Sequence, residues 1–275
     1  NGVNPELLGS PYVSILLNSI CMYLIGFPLM LLILRGIPNT LPSATPVEGE
    51  SKKLSPLTIL ALYPVLYAIM VLVSKGGASI EELLGTSASL TANDLPISPL
   101  SQWALFIQGV VVAPVMEEII CRRLVYRKAS GYGKPAFVIW SAVVFGLFHM
   151  NFGQSIYAAI LGAIFALIIY KTGSVLYCIV LHVAVNLTGG AGLGNIMLSS
   201  GNETAITVYT TCLYALTAVG TVIGIVMLAK AIRSARRGKS EAPVAAIRIR
   251  TAFLNPGSLV YCGICLIIII SLFFN

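Results

Sequence analysis

The sequence predicts an all-α, polytopic integral membrane protein of about eight transmembrane helices, and three observations lead there. First, 57% of the 275 residues are hydrophobic and only 10% are charged, with a mean hydropathy of +0.91. Soluble domains carry about 25% charged residues, and a water-soluble fold of this size has too little interior to hide so much apolar surface. Second, eight apolar runs approach the roughly 20 residues that span a bilayer core. Third, basic residues recur in alternate loops, as an even series of spans requires. A net charge of +7 would also suit nucleic acid, but position decides against it. Seven of the 17 Lys and Arg fall between Lys230 and Arg250 and five between Arg122 and Lys134, both groups at the ends of apolar runs. Such placement orients spans and implies no nucleic-acid partner.

The runs cover about 11–34, 54–74, 101–121, 135–151, 153–171, 174–188, 205–229 and 254–274. The first is too long for a signal-peptide core of about 7–15 residues and is expected to be a span. The fourth and sixth are short, so they must tilt or extend into their flanks. Loop 35–53 holds Arg35, Lys52 and Lys53, and loop 75–100 sets one Lys against Glu81, Glu82 and Asp94. Loop 122–134 holds five basic residues, 189–204 none and 230–253 seven. This alternation puts the basic loops in the cytoplasm and both termini outside. A cysteine at position 202, in the sequon Asn202-Glu203-Thr204, and one at 237 should therefore label from opposite sides. Labelling of both from one side would refute the eight-span order.

The chain is expected to form one membrane domain over 1–275, with N-terminal spans in 11–74, a central core of about 101–188 and C-terminal spans in 205–274. Ala78–Leu84 suggests a short interfacial helix. Gly189–Gly194 follows a span, not a strand, so it is no phosphate loop. Cys21, Cys121, Cys178, Cys212, Cys262 and Cys265 all lie in apolar stretches and are expected to be small buried hydrophobes.

Charge inside a span costs about 2.5–3.5 kcal/mol per residue, so Glu117, Glu118 and Arg122 in the third span would cost roughly 8–10 kcal/mol unpaired. The chain's only two histidines, His149 and His182, also fall within spans, and Asn186 follows His182 by one helical turn. Residues four apart share a helix face, whereas neighbours diverge by about 100°. Glu118 can thus pair with Arg122, while Glu117 looks elsewhere and lacks a partner on its own helix. Phe145 shares a face with His149, and His182 with Asn186. At 1.5 Å per residue, Glu117 lies about 15 Å from Arg127, His149 about 22 Å from Lys134 and His182 about 12 Å from Ser174. Ordinary tilts let the three meet near mid-membrane.

Blander readings exist for each residue alone: a structural ion pair for Glu118 and Arg122, an interhelical hydrogen bond for a histidine, packing for Asn186. Together they favour a site, because three helices each offer a polar side chain on a defined stripe. Two histidines, a carboxylate and an amide suit hydrolysis, with Glu117 as general base on water and His and Asn as oxyanion donors. Other intramembrane protease plans fail by counting. An aspartyl mechanism needs two aspartates, and the chain has only Asp94. A zinc HExxH helix is absent, and Gly153-Gln154-Ser155-Ile156 is a poor match to the GxSG of a serine plan.

These residues resemble the CPBP family, the type II CAAX prenyl endopeptidases and bacteriocin-processing (Abi) proteins. Glu117-Glu118-Ile-Ile-Cys-Arg122 is similar to the family's EExxxR, Phe145-Gly-Leu-Phe-His149 to its FxxxH, and His182-Val-Ala-Val-Asn186 to its HxxxN. About 70 residues, from Glu117 to Asn186, carry the resemblance. Where the family often has Phe-Arg-Gly, this chain has Cys121-Arg122-Arg123.

The resemblance implies a CAAX-protease-like core and an intramembrane glutamyl endopeptidase. Glu117 and His149 would activate water, His182 and Asn186 would form the oxyanion hole, and Glu118, Arg122 and Phe145 would support them. A zinc ion on Glu117, His149 and His182 is the alternative; a mechanism without a required cofactor is favoured. The expected substrate is a membrane-associated peptide or prenylated protein, met at the lipid bilayer of a prokaryotic plasma membrane. Two rival readings remain. One is a non-catalytic scaffold or bacteriocin self-immunity protein. The other is a proton-coupled transporter, which would more usually show inverted repeats.

Overall fold

The computed structural model describes residues 11–37, 39, 53–84, 99–237 and 249–274, and among them every regular element is helical. We number eight helices: α1 (11–35), α2 (Pro56–Leu83), α3 (99–129), α4 (Lys134–Phe148), α5 (Phe152–Thr172), α6 (Leu176–Thr188), α7 (Glu203–Arg237) and α8 (Pro256–Phe273). Each overlaps one of the eight expected spans. Among the described residues, seven helical stretches are long and apolar enough to cross a membrane, α6 reaching that length by continuing to Ser199. α4, at 15 residues, does not. The chain is a multi-pass membrane protein.

Local chemistry sets the boundaries. Ser55 accepts a hydrogen bond from the Thr58 amide ahead of Pro56, and Asn255 accepts one from the Ser258 amide ahead of Pro256. Both pairs combine an N-cap with a proline whose missing N–H would find no helical partner anyway. Asn151 caps α5 in the same way through the Gln154 amide. Gly173 closes α5 at φ 68°, a left-handed conformation that glycine adopts without penalty.

The core is built from α2, α4, α5 and α6: Leu66, Phe137, Phe165, Ile169, Leu181 and Val185 are each at most 1% exposed. α7 lies against α2 so closely that a Cβ on Gly220 would fall 1.9 Å from the Pro64 carbonyl oxygen. Only glycine permits that approach. α1 is different: none of its described side chains is buried.

Two expectations are corrected. Ala78–Leu84 forms no separate interfacial helix, because α2 runs unbroken to Leu83. Of the six cysteines, Cys121, Cys178 and Cys265 are buried and Cys262 partly so, but Cys21 and Cys212 are exposed. In a bilayer the outer surface is as apolar as the core, so apolar surroundings in sequence do not imply burial.

Candidate active site

α3, the central helix of the site, is not a uniform α-helix. It contains two wider π turns, Gln108–Val112 and Ile119–Leu124, on either side of Ala113–Glu118. Such turns recur at functional sites because they release backbone groups and re-aim side chains. Here the release can be traced to one atom. At the first turn the Ala113 amide donates to the Gln108 carbonyl rather than to Gly109. The next amide able to serve Gly109 would be that of residue 114, which is proline and has no N–H. The Gly109 oxygen is therefore left open, and Asn186 Nδ2 on α6 donates to it at 2.9 Å.

One turn further along α3, Glu118 and Arg122 are fully buried. Arg122 Nε lies 3.1 Å from Glu118 Oε2, close enough for strong attraction but without hydrogen-bond alignment. The rest of the guanidinium is accommodated by aromatic faces. Its Cζ sits 3.9 Å from the ring centre of Phe145 and 5.4 Å from that of Phe165, where the ring quadrupole attracts a desolvated cation. Glu118 Oε1 accepts from His182 Nδ1 at 2.9 Å. The spacing-based pairing of Glu118 with Arg122 is thus present, and His182 joins it.

Glu117 points another way, as adjacency on a helix requires. Its side chain is 16% exposed against 0% for Glu118, and its Oε2 lies 3.9 Å from His182 Nε2. His182 therefore stands between the two carboxylates, one on each ring nitrogen. With Nδ1–H donated to Glu118, a neutral ring leaves Nε2 without a proton. For Nε2 to donate as well, the Glu118–His182 pair must hold one proton more. The nearby Phe165 ring lies 5.6 Å from that of His182.

His149 is not inside a helix, as spacing had it, but at the end of one. α4 stops at Phe148, and the chain turns through His149 and Met150, the latter at φ 49°, before Asn151 caps α5. His149 Nδ1 donates to the Phe145 carbonyl at 2.9 Å, which leaves Nε2 as a hydrogen-bond acceptor. The rings of both histidines stand edge-on to Phe145, with centroids 5.0 and 5.9 Å away.

The structure thus gathers Glu117, Glu118, Arg122, Phe145 and His182 directly. His149 is attached through Phe145, and Asn186 is held one turn along α6 by the α3 backbone. Among the described residues, no group of three His, Cys, Asp or Glu side chains stands close enough to hold a metal ion. Residues not anticipated are Phe165, the Gly109 carbonyl, and Gln108, whose amide lies 3.4 Å from the Tyr23 hydroxyl of α1. Gln108 and Pro114 were visible signals, a polar amide and a ladder-breaking residue inside a span.

Residues 99–188 match the family model described as Rce1-like: Type II CAAX prenyl endopeptidase Rce1-like. No curated protein and no solved structure matches the chain.

Proposed function

Starting from a segment, residues 99–188, that belongs to the type II CAAX prenyl endopeptidase family, we propose that this chain is an intramembrane endopeptidase in which Glu117 activates water for attack on a peptide carbonyl. The observation that carries the reading is the division of labour between adjacent glutamates. Glu118 is sealed with Arg122 and His182, whereas Glu117 keeps an accessible carboxylate beside them.

The hydrogen-bond inventory fits a hydrolytic water. Glu117 and the free Nε2 of His149 are both acceptors, so a water donating one hydrogen to each keeps a lone pair for the carbonyl carbon. As the bond forms, the proton passes to Glu117 and negative charge develops on the carbonyl oxygen. The second N–H of Asn186 supplies a donor for that oxyanion, and His182 Nε2 supplies another once the Glu118–His182 pair holds the additional proton. Glu117 can then return its proton to the leaving amine. Arg122 and Glu118 act at one remove, by fixing His182.

The substrate is a membrane-associated peptide or a prenylated protein, reached from the basic, cytoplasmic side of a bacterial or archaeal plasma membrane. In liposomes, the purified protein should cleave a prenylated CAAX peptide or a bacteriocin-type leader peptide, with products identified by mass spectrometry. Cleavage of neither would favour the scaffold or immunity reading. Because a water held by Glu117 and His149 and an oxyanion met by N–H donors need no ion, cleavage should proceed equally with and without a strong chelator. Loss on chelation and recovery with zinc would overturn that part of the mechanism.

A further inference from the structure

A cleft of about 630 Å³ lies between α1, α3, α4 and α8, on residues that include none of Glu117, His149, His182 and Asn186. We propose that it seats one acyl chain of an anionic membrane phospholipid, and that this lipid buttresses the catalytic helix.

The inner walls are apolar, with Met30, Ile120, Val144 and Phe148 among them. Polar side chains on the α8 side are already committed within the protein. Trp140 donates to Ser258 at 3.2 Å, Ser258 and Asn255 each donate to the Ala252 carbonyl at 2.7 Å, and Tyr261 donates to the Val144 carbonyl at 2.9 Å. An ordered water needs two to four polar partners, so these walls hold water poorly. An apolar chain lying along these walls gains dispersion contacts with them. The volume falls within the usual range of ligand pockets, about 300–1,000 Å³.

Charge selects the lipid. The other end of the cleft carries Lys128, whose ammonium donates to the Ile37 carbonyl, and Thr251. Arg127 and Arg250, next to these two in sequence, are exposed. The cleft is thus apolar toward mid-membrane and basic toward the cytoplasmic interface, which matches an anionic headgroup with its chain pointing inward. α1, none of whose described side chains is buried, forms one wall of the cleft. Ile120 and Cys121 also line the cleft. They fall between Glu118 and Arg122, so a chain lying there presses on the π turn that sets the ion pair.

The test uses delipidated, purified protein in mild detergent and reads melting temperature, with phosphatidylglycerol, phosphatidylcholine or soluble glycerol phosphate added. Phosphatidylglycerol should raise the melting temperature by at least a few degrees, clearly more than phosphatidylcholine, and glycerol phosphate should not. A Cβ on Gly257, in the cleft wall, would meet only the Asn255 Oδ1 at 3.4 Å. Gly257→Phe should therefore fill the cleft, keep the delipidated melting temperature and abolish the gain. If that variant fails to fold, Lys128→Glu decides, by removing the preference for phosphatidylglycerol. The proposal is overturned if a folded Gly257→Phe keeps the full gain, if Lys128→Glu keeps the preference, or if glycerol phosphate alone reproduces it. Displacement of the lipid by a prenylated peptide would also overturn it, by making the cleft a substrate seat. None of these readouts depends on proteolysis, so the proposal stands or falls separately from the hydrolytic reading.

Discussion

Glu117→Gln is expected to reduce peptide cleavage by about 10²–10⁴-fold while leaving the protein folded, because a general base contributes about that factor. Glutamine preserves shape and polarity but cannot take a proton from water. The side chain makes no ion pair with Arg122, has 16% of its surface exposed and has the His182 ring 3.9 Å away. Replacing it leaves no buried charge unpaired. Rate and melting temperature should be measured side by side with wild type. Undiminished turnover by Glu117→Gln would remove it from the role of base.

Glu118→Gln should show the opposite profile, with stability failing first. The substitution strips the carboxylate paired with a fully buried guanidinium whose Nη1 and Nη2 have no hydrogen-bond partner among the described residues. Breaking a buried pair from one side typically costs about 3–5 kcal/mol, because the surviving charge stays desolvated. The rings of Phe145 and Phe165 offset only part of this. Cleavage should fall in parallel, through His182, whose Nδ1–H then faces a neutral amide in place of a carboxylate. The measurement is unfolding in detergent together with activity at a temperature where the variant is still folded. A stable but inactive Glu118→Gln, beside an active Glu117→Gln, would exchange the two assignments.

The spans were legible because membrane insertion imposes a simple rule, length and apolarity, that local sequence satisfies directly. All eight expected runs overlap helices. The pairing of Glu118 with Arg122 was legible too, since it depends only on spacing within one helix. Contacts between helices were harder. Nothing in the spacing places His182 between two glutamates, and no periodicity announces a π turn, which differs from an α turn by a single residue. The partner of Asn186 could be reached only by asking where the Gly109 carbonyl goes once Pro114 follows it. His149 was misplaced within a helix because Phe148, Met150 and Phe152 continue the apolar run, whereas Asn151 is the cap that breaks it.

The brevity of α4 has a consequence for the membrane around the protein. Fifteen residues rise about 22 Å, well short of a hydrocarbon core of about 30 Å. Lipids beside α4, where Ile139 is 42% exposed, face a hydrophobic mismatch that is relieved by local thinning of the bilayer. The turn bearing His149 and Met150 follows directly on α4, so any such thinning would act on it first. Non-helical backbone at that depth persists only where protein or a water-filled cavity satisfies it. Bilayer thickness then becomes a control on hydration: a thin membrane brings bulk water close to the imidazole, and a thick one draws hydrocarbon over it.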